Sequence, residues 1–129
     1  MREIEFRGKR IRDDKWCFGS LAIWKSGKTD IAYEDNREGC IDFMIVDPNT
    51  VGQYTGLNDK NGVKIFEGDI LEWGHYKRIC QVKWLDDTAR FLYITPHKSI
   101  IYPGEAKACV VIGNIHDNPD LFEEQDAKV

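Results

Sequence analysis

The chain has 129 residues, about 42% of them hydrophobic, with four Trp, five Tyr and six Phe. That is enough apolar material for a packed domain and too much for a disordered chain. Charged residues make up 31%, but the signs nearly cancel at −4, which argues against a dedicated DNA-wrapping surface.

Short strands separated by turns run along the whole chain. Ile4 and Phe6 alternate with charges before Arg7-Gly8-Lys9. Trp16 to Ile23 is a second strand, with Trp16 and Phe18 on one face and Cys17, Leu21 and Ile23 on the other. Ser26-Gly27 signals a hairpin into Thr29–Tyr33. Glu34 to Gly39 is a polar loop, and Ile41 to Val46 is apolar enough for a buried strand. Asp47-Pro48-Asn49 stops it, because proline lacks the donor that a ladder needs. A boundary is placed here. Residues 1–47 are expected to form a β-rich N-terminal subdomain that packs on the rest or on another subunit. Residues 48–129 are expected to form a barrel-like domain with a terminal helix.

Gly52 and Gly56 frame Gln53-Tyr54-Thr55, a spacing that suits a bent segment. Asp59, Asn61 and Gly62 make a strong turn signal, and Gly68-Asp69 makes a second turn before Ile70–Trp73. Next comes a strand over Ile79–Leu85, with Cys80, Val82 and Trp84 on one face and Ile79, Gln81, Lys83 and Leu85 on the other. Phe91–Ile94 is a further strand, and Ala108–Ile112 another. Pro96 to Lys107 carries no single assignment. Asp117-Asn118-Pro119 starts a helix, with an amide or acid cap ahead of proline at the first helical position. The fold class is therefore mainly β: a small pseudo-barrel with a capping C-terminal helix, preceded by a β-rich N-terminal arm.

Read together, these segments resemble the YopX family, small proteins encoded by phages and prophages. The resemblance is carried by Phe6-Arg7-Gly8-Lys9, by Trp16 with Phe18-Gly19, and by Thr50–Leu57. Asp59–Gly62, Ile65–Ile70 and Val111–Pro119 extend it. His116 and Phe66 stand where the family more often has an aromatic residue and tyrosine. The resemblance implies a pseudo-barrel capped by a helix, a tendency to oligomerise and a phage setting. It implies no catalytic residue.

The residues themselves point away from catalysis. Asp59, Glu67, Asp69, Asp86 and Asp87 all sit in or beside turns, where carboxylates cap backbone amides. His75, His97 and His116 lack metal-ligand spacing, and no CxxC pair exists, so no metal and no cofactor are expected. Cys17, Cys80 and Cys109 lie in apolar settings and read as small buried hydrophobes. The charged N-terminus and the short apolar runs predict a cytoplasmic protein with no membrane partner, and the phage setting that the resemblance implies makes that cytoplasm a bacterial host's. Trp73, Tyr76, Lys77, Arg78 and Lys83 interleave rings and cations, as a single-stranded nucleic-acid surface would. The leading expectation is a non-enzymatic accessory protein acting through an unidentified protein partner and homo-oligomerisation. Nucleic-acid binding at the Trp73–Lys83 strip is the alternative.

Overall fold

The computed structural model describes residues 1–37, 39–74 and 78–122. The chain is mainly β, as its turn grammar dictates. Five elements open it: β1 (Phe6–Lys9), β2 (Trp16–Ile23), β3 (Thr29–Glu34), β4 (Ile41–Ile45) and a 3-10 turn (Pro48–Thr50). β5 (Gly52–Asn58), β6 (Lys64–Phe66), β7 (Asp69–Trp73), β8 (Arg78–Leu85) and β9 (Arg90–Ile94) follow. β10 (Ile100–Ile101), a short helix α1 (Pro103–Ala106) and β11 (Cys109–Asn114) complete the series. Every strand pair with an assigned register is antiparallel. Hydrogen-bonded neighbours run β4-β3-β2-β1-β5-β6 in one sheet and β10-β9-β8-β7-β11 in the other. The chain divides into two compact units, Met1–Tyr54 and Thr55–Val129.

In the first unit, β1 to β4 form a meander whose inward residues make one apolar cluster. Cys17, Ile31 and Val46 are its buried centre, with Phe6, Leu21, Tyr33 and Met44 packed around them. The alternation predicted for β2 holds in part: Cys17 and Leu21 join the cluster and Phe18 is exposed, but Ile23, expected beside Cys17 and Leu21, is exposed at 70% at the strand's end. Gly19 is demanded by packing, since a Cβ there would lie 2.1 Å from the Ala32 carbonyl oxygen. One end of the meander curls back. Arg10 bridges Val46, and the Ile11 N–H donates to the Ile45 carbonyl. Asp47 ends the run as anticipated, its side chain accepting from the Asn49 N–H at 3.0 Å ahead of Pro48–Thr50.

In the second unit, the buried residues Ile65, Leu71, Cys80, Val82, Tyr93, Ile101, Ala106 and Cys109 form a larger core. The sheet over it does not close into the expected barrel. β10 and β11 remain its two edges. β10 is only two residues long and runs almost at once into Pro103, which has no N–H to extend a ladder. The ambiguous stretch after Pro96 resolves into β10 and α1. The terminal helix begins where the cap signal places it. Residues 119–122 are helical, and the Asn118 carbonyl accepts from the Leu121 N–H at 3.2 Å.

Candidate functional site

The acids that carry the turn motif are used up by backbone. Asp59 accepts from the N–H groups of Asn61 (2.8 Å), Val63 (2.9 Å) and Val111 (2.9 Å). Its burial pushes the carboxyl pKa up, but the three backbone donors outweigh that and hold it below the usual carboxylate range. The Asp69 carboxylate accepts from the Phe66 N–H at 2.7 Å. Gly56, Gly62 and Gly68 take positive φ of 89°, 82° and 94°, while Gly52 does not. Asn61 offers its backbone N–H to Asp59. Through its bond from Val111, Asp59 clamps its own turn to β11.

The thiols are equally quiet. Burial drives Cys80 up to about 12, with Cys109 nearby adding to it. Burial, then Glu105 and Asp59, push Cys109 up to about 11. Neither is a thiolate near neutrality. Among the described residues, no group of three His, Cys, Asp or Glu side chains is placed to hold a metal ion.

Of the predicted nucleic-acid strip, the structure brings two residues together. Trp73 and Arg78 are cross-strand partners on β7 and β8. Both line a half-open groove of about 850 Å³, with Thr95, His97, Ser99 and Glu105 among the other walls. Strand alternation sends Lys83 to the opposite face, because Val82 beside it points into the core. Trp84 meets Phe91 edge to face, with centroids 5.0 Å apart. Tyr76 and Lys77 lie outside the described residues. The strip is thus divided by the pleat of β8, and Glu105 puts an acid in the half that lines the groove.

A different surface, missed by sequence reasoning, stands out on the first unit. β4 is an edge strand, not the buried strand its composition suggests. Ile41, Phe43 and Ile45 are exposed at 61%, 54% and 47%. The register stacks two rows on this side across β2, β3 and β4, Ala22–Asp30–Ile45 and Ser20–Ala32–Phe43, with Glu34 opposite Ile41 beyond them. Ile4, Phe18, Ile41 and Phe43 wall a shallow groove of about 600 Å³, floored by Gly19, Ser20 and Ala32.

Trp24 is pinned to the same face. Its Nε1–H donates to Asp30 Oδ2 at 2.8 Å, and its ring sits 6.5 Å from that of Phe43. Asp30 is 1% exposed, and its Oδ1 has no hydrogen-bond partner. A carboxylate held out of water on one indole N–H and a lysine at 3.8 Å is costly. What it secures is a half-exposed indole in one fixed place. The signal for this pair was present in the sequence. A tight hairpin at Ser26-Gly27 sets Trp24 opposite Lys28 and diagonal to Asp30.

Among curated proteins, none matches this chain. In three dimensions it is similar to the crystal structure of protein EF1440 from Enterococcus faecalis. The TM-score is 0.63 at 24% identity, covering 95% of this chain and 99% of that one. At that identity the likeness shows a shared fold. At the level of sequence, the family described as YopX protein matches residues 5–123. Those residues hold the motifs from Phe6 to Pro119 on which the resemblance stood, and the chain belongs to the YopX family.

Proposed function

We propose that this protein is a non-enzymatic accessory protein of phage or prophage origin. It acts in the host cytoplasm through protein–protein contacts, self-association among them. One observation carries the reading: the outward face of β2–β4, where Ile41, Phe43 and Ile45 stand half in water beside a pinned Trp24. A monomer gains nothing from holding four large apolar side chains in solvent, and contiguous apolar patches of this kind mark interaction surfaces. A fixed aromatic anchor also lowers the entropy lost on docking. Asp59 and Asp69, two of the acids that could have served acid–base chemistry, accept from turn backbone instead. Among the described residues no helix is long and apolar enough to cross a membrane.

A photo-crosslinking amino acid at position 43, expressed in host cells, tests this reading. Protein adducts are expected at position 43 and not at Lys83, a control on the second unit. Absence of adducts at position 43 overturns the reading. Nucleic-acid binding would rest on Trp73 and Arg78 at the groove of the second unit. A salt-dependent gel shift with single-stranded DNA, lost in Arg78→Ala, would establish it in place of the contact reading.

A further inference from the structure

We propose that the V formed by the rings of Trp24 and Phe43, with Asp30 behind it, receives a cationic side chain, an arginine above all, from the protein that docks on the β2–β4 face. The proposal rests on the contact reading above and names the chemistry of the partner.

The first ground is the ring pair. Trp24 and Phe43 are both half exposed, and their rings stand 6.5 Å apart at 57° to one another. Two rings opened in that way offer π-faces to solvent, and a guanidinium or ammonium is attracted to such faces. The same unit already stacks cations on an indole. The Arg7 guanidinium lies 4.5 Å from the Trp16 ring centroid, and the Lys9 ammonium 5.7 Å from it.

The second ground is Asp30. Its Oδ2 accepts from the Trp24 Nε1–H at 2.8 Å and lies 3.8 Å from the Lys28 ammonium, while the buried Oδ1 has no hydrogen-bond partner. A carboxylate bound to the indole N–H polarises the ring and strengthens its hold on a cation. The same carboxylate decides the sign of the partner. Any segment that covers this face expels water from around Asp30, which is almost wholly buried and already short of solvation. An apolar side chain over the V deepens that cost, and an acidic one adds repulsion. A cationic one offsets it.

The third ground is the rest of the face. The rows Ala22–Asp30–Ile45 and Ser20–Ala32–Phe43 hold no cation, and Glu34 stands opposite Ile41 beyond them. Phe43 is shared by the V and by the shallow groove beside it, whose floor of Gly19, Ser20 and Ala32 leaves room for large side chains. The face therefore fits a segment that lays apolar side chains in the groove and an arginine on Trp24.

The test uses two synthetic peptides of about ten residues that alternate leucine with either arginine or citrulline, its neutral isostere. Each is titrated into the full-length ¹⁵N-labelled chain at physiological salt, and the indole N–H signals of its four Trp are followed by NMR. The arginine peptide is expected to move the Trp24 signal, to leave Trp73 and Trp84 of the second unit in place, and to bind about tenfold tighter than the citrulline peptide. Trp24→Leu should abolish that preference. Asp30→Asn keeps an oxygen for the indole N–H, and so keeps Trp24 in place, yet should weaken the arginine peptide about fivefold. Equal binding of the two peptides overturns the proposal, as does an arginine peptide that moves every indole signal alike or a preference indifferent to Asp30→Asn. Position-43 adducts with no preference for arginine would remove the cation and leave the contact reading standing. No adducts at all would remove both.

Discussion

β4 and β8 carry similar apolar content and meet opposite fates. β8 sits in the middle of its sheet, and Ile79, Cys80, Gln81 and Val82 are all buried. β4 sits at an edge, and only its inward residues reach a core, while Ile41, Phe43 and Ile45 face water. The difference shows that strand hydrophobicity records a demand for burial without saying what supplies it. In β8 the neighbouring strands of the same chain do. In β4, among the described residues, no element covers the outward side, and Ile41, Phe43 and Ile45 stay in water.

The sharpest way to break this comparison is to change a residue on each side of it. Leu71→Ala, in the second core, removes a fully buried side chain and should cost about 3 kcal/mol in a urea titration. Phe43→Ala should leave the urea midpoint of the monomer unmoved to within about 0.5 kcal/mol. A large loss at Phe43 would mean that the exposed face is structural, and the two strands would then be alike.

Gly19→Ala should be comparable to Leu71→Ala, at about 3 kcal/mol, because the new Cβ meets backbone that cannot give way without parting β2 from β3. The loss should appear as early hydrogen exchange in β2 and β3, with the second unit still protected. Uniform loss of protection in both units would show that they unfold as one, and the contrast between them would lose its thermodynamic meaning.

Acid should loosen the Asp59 turn of the second unit. The Asp59 carboxyl is held below its ordinary pKa of about 3.9 in the folded protein, so its contribution is complete above that value and is lost as pH falls through the folded pKa. Asp59→Asn should therefore flatten the acid limb of stability against pH and cost about 2 kcal/mol at neutral pH. An acid limb of unchanged slope would place the acid sensitivity elsewhere. The smallest effect is expected from Asp30→Ala. It frees Trp24 and removes a poorly satisfied buried carboxylate, so stability should change by about 1 kcal/mol or less. Acrylamide quenching of tryptophan fluorescence should rise as the indole leaves its place.

Much of the fold was legible because it was written locally. β2 begins and ends where alternation and the Ser26-Gly27 turn put it, and Asp47-Pro48 halts the chain where proline must. Asp59 behaves as a turn cap, although its reach of 52 residues to Val111 was not visible in the turn itself. The barrel was not legible, since closure depends on two distant edges meeting, and β10 proved too short to present one. Nor was the division of the Trp73–Lys83 strip, which counts bases and rings in sequence while the pleat of β8 sends them to different faces.

By itself the sequence determined the strands, their turns, the caps and the family, because these depend on residues within a few positions of one another. Tertiary structure alone decided which strands lie at an edge. Burial is a property of neighbours, and neighbours in a sheet are chosen by topology. That choice turned Ile41, Phe43 and Ile45 from expected core into surface.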